Sequence, residues 1–120
     1  MKVVSNSSIL IGLSSIGKLN ILHTRFPQGT IVPEAVWEEV VEAGRGLPGA
    51  DEVGQAKWIF NQQVQNKVFS LSLQAFLDRG EAEVIALSQE ISADILLLDE
   101  KSARNVAVRL QYALQQAGEK

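Results

Sequence analysis

Acidic side chains placed at the ends of apolar runs carry the chemistry this chain has to offer. The run Ile95-Leu96-Leu97-Leu98 is unbroken apolar sequence and stops on Asp99 and Glu100. Gly80 and Glu81 open an amphipathic stretch, and Glu34, Glu38, Glu39 and Glu42 crowd one short segment. An uninterrupted apolar run reads as a buried parallel strand, and ligand sites of open α/β sheets lie beyond the carboxyl ends of such strands. Asp99 and Glu81 therefore sit where a cation would be held. Carboxylate oxygens are the ligands that hard divalent ions require.

Composition narrows the alternatives. The 120 residues include no cysteine and one histidine, His23, which excludes disulfides, thiolate metal sites, cysteine nucleophiles and any site built on two histidines. A serine hydrolase lacks a positioned base, because His23 lies in an expected linker between Leu22 and Thr24. The formal net charge of −3 gives no global attraction to nucleic acid, so contact with a polyanion must be local. With 46% hydrophobic and 21% charged residues, the chain fits a single folded domain over residues 1–120. No apolar stretch approaches the roughly 18 residues of a membrane span. Met1-Lys2-Val3-Val4 lacks the apolar core of a signal peptide, so a cytoplasmic protein without membrane contact is expected.

The elements that must position these acids follow from periodicity. Val3-Val4-Ser5-Asn6 reads as a first strand, followed by a helix with Ile9, Leu10, Leu13 and Ile16 at helical spacing, Ser7 or Ser8 as its cap and Gly17 as its stop. Residues 19–22 form a short second helix, and Thr30-Ile31-Val32 a second strand. Pro33 and Glu34 suit the first turn of a helix over residues 33–43, with Val36, Trp37 and Val40 inward. Gly44 to Gly49 is a loop rich in glycine and proline. Residues 51–60 read as a helix, 67–71 as a strand, 80–91 as a helix, 95–98 as a strand, and 101–117 as a last helix carrying Ala103, Val106, Ala107 and Leu110. Strands alternating with helices imply a parallel α/β sheet.

Each candidate also has a purely structural reading. Asp99 is a favoured residue for capping the last helix, and Glu81 would stabilise a helix dipole. Asn6 suits a turn between strand and helix, and Ser7 and Ser8 suit caps. The glutamates of residues 34–42 make an ordinary solvated face, as do Lys101, Arg104 and Arg109, which are also placed to meet phosphate. Trp37 and Trp58 read as packing residues.

Four segments in order resemble the PIN-domain nucleases, and among them the VapC-like branch. They are residues 3–11, residues 31–41 with Pro33-Glu34-Ala35-Val36-Trp37-Glu38-Glu39, residues 77–87 with Asp78-Arg79-Gly80-Glu81, and residues 93–104 with Leu98-Asp99-Glu100. The resemblance implies a three-layer α/β/α fold with a short, mostly parallel central sheet. It implies a metal-dependent endoribonuclease of toxin type, with acids holding Mg²⁺ or Mn²⁺ at the sheet edge. By position the first acid falls on Asn6, the second on Glu39 or, as an alternative, Glu38, the third on Glu81 and the fourth on Asp99; Ser8 matches the small hydroxyl residue beside the first. The implied partners are RNA, an antitoxin-like protein and a second copy in a homodimer. The chain departs from the family twice. Asn6 offers a neutral carbonyl where an aspartate is expected, and the sequence ends soon after Tyr112, where relatives continue through a further strand and helices. Two functions follow: a nuclease weakened at Asn6, or an inactive relative serving as a dimerising or partner-binding module.

Overall fold

A computed structural model describes residues 1–118, with side chains through residue 115. Its four strands are β1 (Val3–Ser5), β2 (Thr30–Val32), β3 (Ile59–Asn61) and β4 (Ile95–Leu97), hydrogen-bonded in the order β3-β2-β1-β4. All three pairings are parallel, so the sheet expected to be mostly parallel is wholly so among the described residues. The helices are α1 (Ser7–Ser15), α2 (Asn20–Arg25), α3 (Glu34–Trp37), α4 (Ala50–Gln55), α5 (Lys67–Leu73), α6 (Arg79–Glu90) and α7 (Glu100–Gly118). They complete the three-layer α/β/α architecture.

Register decides where the acids meet. β1 is central, wholly buried, and pairs Ser5 with Leu97 of β4, so the residues that follow these strands emerge side by side. The Asn6 N–H donates to the Leu97 carbonyl at 3.1 Å and carries the pairing one residue past the strand. Val4, Leu10, Val32, Val36, Val84 and Leu87 anchor the core beneath this edge, each essentially inaccessible to water. Burial of six such side chains contributes on the order of 1.5–3 kcal/mol apiece.

The segment after β2 differs from a plain helix over 33–43. Pro33 is extended at the cap position, α3 makes one turn, and the chain then widens into a π-helical turn over Glu38–Glu42. The Ala43 N–H closes it on the Glu38 carbonyl at 2.7 Å, a bond spanning five residues. Widening shifts the residues that follow by a fraction of a turn, and Val40 stays buried while Glu39 is turned outward.

Two expectations for the middle of the chain are overturned. Residues 51–60 are not one helix: α4 ends at Gln55, and Ile59 enters the sheet beside β2, with Thr30 opposite Ile59 and Val32 opposite Asn61. Ile59 is buried, while Phe60 and Asn61 of this edge strand are exposed. Residues 67–71 are helical, not a strand. Asn66 caps α5 by accepting the Phe69 N–H on Oδ1 at 3.1 Å, and Phe69, Ser70 and Leu73 form its inner face while Val68 and Leu71 face water. His23, expected in a linker, lies on α2 and stacks on Trp58 with ring centroids 4.9 Å apart.

Candidate active edge

Asn6 is the hinge of the site. Its backbone is extended and its Oδ1 accepts the Ile9 N–H at 3.2 Å, so Asn6 caps α1 in place of Ser7 or Ser8. The other end of the same amide donates from Nδ2 to Asp99 Oδ1 at 3.0 Å. Asp99 in turn stands before α7 and accepts the Ser102 N–H on Oδ2 at 3.4 Å, the geometry of a helix cap. The Ser102 side chain first, and then the Asn6 amide, hold the Asp99 carboxyl below its ordinary value. Hydrogen bonds given to the ionised form have that effect.

Glu81 is fixed by local sequence. Asp78 caps α6 by accepting the Glu81 N–H at 2.7 Å, and the Glu81 carboxylate reaches back to the Asp78 N–H at 3.4 Å. This reciprocal capping box explains why an acid follows Gly80 and makes the opening residue of the helix Asp78. The same carboxylate accepts the Asn105 amide on both oxygens, at 3.1 and 2.8 Å. Asn105 was not legible as a site residue. Its one signal is a polar side chain on the inward side of α7, next to the buried Val106.

Glu38 and Glu39 part company at the π-helical turn. Glu38 pairs with Arg79 at 2.6 Å, and Arg79 also holds Glu83 at 2.9 Å, so Glu38 belongs to an ion-pair chain along α6. Glu39 accepts the Ser7 hydroxyl at 2.5 Å. It walls a cavity of about 120 Å³ together with Asn6, Ser7, Asp78, Glu81 and Ser102. Ser8 lines the same cavity, but the hydroxyl that meets a site carboxylate is that of Ser7. Asp99 reaches this wall through Asn6 and Ser102. The structure thus brings Asn6, Ser8, Glu39, Glu81 and Asp99 to one edge, at the carboxyl ends of β1 and β4.

A family model for the PIN domain matches residues 2–115. The chain belongs to the PIN-domain family. No curated protein and no solved structure matches it. Membership carries a nuclease-like function and RNA as the general class of partner, and PIN domains generally use divalent metals.

The residues of this PIN domain meet that metal requirement in chemistry and not in arrangement. Their oxygens are of the right kind, yet among the described residues no three acidic or imidazole groups converge as a cation cage. The reason is visible in the hydrogen bonds. The amides of Asn6 and Asn105 point N–H groups at Asp99 and Glu81, using lone pairs that a cation would need. As arranged, the edge does not fit a divalent ion. Among the described residues, no helix is long and apolar enough to cross a membrane.

Proposed function

We propose that this PIN domain is an endoribonuclease of toxin type, weakened because Asn6 at its first acidic position leaves the edge unable to hold a divalent ion as arranged, and that its site is the edge formed by Asn6, Glu39, Glu81 and Asp99. The supporting observation is their convergence: four positions spread over most of the chain meet around or beside one cavity. Cleaving a phosphodiester with water needs a proton acceptor for the water and donors for the charge gathering on phosphate. Glu39, exposed at the rim, is the acceptor, and Asp99, kept ionised beside the cavity by Ser102 and Asn6, orients the water as a fixed negative charge. The amide N–H groups of Asn6 and Asn105 are the donors, once substrate draws them from their carboxylates. Ser7 keeps Glu39 turned toward the cavity. The partners implied are RNA, with an antitoxin-like protein or a second copy as regulator in the cytoplasm.

The test is cleavage of RNA by the wild type, Asn6→Asp and Asp99→Asn, each with Mn²⁺, with Mg²⁺ and with chelator. The expected result is slow cleavage by the wild type, faster cleavage by Asn6→Asp and none by Asp99→Asn. Absence of cleavage by both the wild type and Asn6→Asp would sink the reading. A second reading is favoured by the amide–carboxylate pairs themselves: a non-catalytic PIN domain that dimerises or binds a partner. It predicts no cleavage by any of the three and a stable complex in their place.

A further inference from the structure

The side of α7 next to this edge carries exposed basic and aromatic side chains. Arg104, Asn105, Val108, Arg109 and Tyr112 line a shallow groove of about 590 Å³. Arg104, Val108 and Tyr112 are spaced four apart, and Asn105 and Arg109 likewise, so the groove runs along one face of the helix. It spans about 12 Å from Arg104 to Tyr112 at 1.5 Å per residue. One end of it is the active edge itself, because Asn105 lines the groove and donates to Glu81.

Charge and exposure say what would occupy it. In a chain of formal charge −3, α7 carries Lys101, Arg104 and Arg109 against Glu100 alone among its described side chains. Arg104 and Arg109 are exposed, and neither makes an ion pair among the described residues; both of the observed ion pairs belong to Arg79. Tyr112 is 56% exposed beside them. Unpaired guanidinium groups flanking a solvent-facing aromatic ring form the combination that tracks a phosphate backbone and stacks a base. A double helix presents its bases stacked inside and offers no free face to Tyr112.

We propose that single-stranded RNA leaves the active edge along α7, with Arg104 and Arg109 on its phosphates and Tyr112 stacked on a base. This rests on the nuclease reading for the direction of the strand, and the test separates the two. Binding of a fluorescein-labelled oligouridine is followed by anisotropy in chelator, across a range of salt, for the wild type, the double variant Arg104→Gln/Arg109→Gln, Tyr112→Ala and Tyr112→Phe. All three positions are exposed, so the variants keep the core.

The double variant should bind at least tenfold more weakly, and its salt dependence should flatten by about 0.7 for each phosphate no longer neutralised. Tyr112→Ala should bind roughly 5- to 150-fold more weakly, the range of one base–aromatic stack, and Tyr112→Phe should bind as the wild type does. Unchanged binding in the double variant or in Tyr112→Ala overturns the groove. So does a change of oligomeric state in Tyr112→Ala with RNA affinity intact, which would make α7 a self-association face. Cleavage unaffected by the α7 variants would likewise remove the groove while leaving the nuclease in place. Binding through α7 with no cleavage by the wild type or Asn6→Asp would leave the groove standing and remove the nuclease.

Discussion

At the scale of single residues, Asn6 and Glu83 show how little separates a structural side chain from a chemical one. Asn6 caps α1 with its oxygen and restrains Asp99 with its nitrogen. Asn6→Ala should raise the Asp99 pKa toward its ordinary 3.8, leaving the Ser102 contribution in place. The sign follows from linkage: a carboxyl depressed on folding contributes stability that is present above 3.8 and is lost as pH falls through its lower folded value. The wild-type advantage from this bond therefore shrinks in acid, while the missing cap, about 0.5–2 kcal/mol, does not depend on pH. A carboxyl-carbon NMR titration in which the Asp99 midpoint does not move would remove Asn6 as a cause. Glu83 is the contrasting case, a buried carboxylate that accepts the Ala35 N–H at 3.0 Å and holds Arg79. Glu83→Ala strands that N–H at the start of α3, and should cost about 1–3 kcal/mol in urea unfolding. Glu83→Gln keeps an acceptor for Ala35 and should recover part of the loss; equal losses in the two variants would place the whole effect in the Arg79 pair.

At the scale of elements, the π-helical turn that presents Glu39 is capped by Ala43 and followed by Gly44. A Cβ there would press on the Val40 carbonyl oxygen and lie 3.0 Å from that of Glu39, both backbone atoms that have no rotamer to escape into. Gly44→Ala should therefore destabilise by roughly 1–3 kcal/mol, the range of overpacking, and shift Glu39 off the Ser7 hydroxyl. Amide exchange across Glu38–Glu42 reports it, and unaltered protection there would show that the turn adjusts freely. This turn also marks the limit of what the sequence discloses. Val3-Val4, Thr30-Ile31-Val32 and Ile95-Leu96-Leu97 were legible because each is a largely apolar run closed by a cap or a proline, and Asp99 was legible for the same reason, whereas Asn6 and Glu39 were placed only by the family resemblance, and Glu81 by that resemblance and the amphipathic stretch it opens. Nothing in Glu38-Glu39-Val40-Val41 distinguishes a π-helical turn from an α-helical one, so Glu38 and Glu39 stayed interchangeable until geometry gave one to Arg79 and the other to the cavity. Trp58-Ile59-Phe60 prolongs an apparent helix because a three-residue strand shows a single alternation. Val68 and Leu71 mimic a strand because they are apolar yet exposed. Asn105 stayed hidden because an asparagine on a helix carries no mark of what its amide will meet.

For the whole molecule, the question is whether a cation can be coupled to the stability of the fold. In the wild type the Asn6 and Asn105 amides satisfy Asp99 and Glu81 without one, so global stability should respond little to chelator or to Mn²⁺. Asn6→Asp changes this balance without removing the α1 cap, since aspartate caps as well as asparagine. It sets a second carboxylate beside Asp99 in place of a donor at 3.0 Å. Two like charges at that spacing disfavour the folded state, so the variant should melt below the wild type in chelator, most clearly at neutral pH where both are ionised. A divalent ion that binds only the folded form reverses the deficit by mass action, about 2.7 kcal/mol at a hundredfold excess over its dissociation constant. Thermal melts in chelator and in Mn²⁺ should then show a melting temperature that rises with the ion in Asn6→Asp and stays nearly constant in the wild type. The converse pattern, a wild type strongly stabilised by Mn²⁺, would mean that the amides yield their carboxylates readily, and that the closed edge is no barrier to a cation. A variant that melts low in chelator and gains nothing from Mn²⁺ would show that Glu39, Glu81 and the paired aspartates do not close on a shared ion, and the binding role would be the one left to this PIN domain.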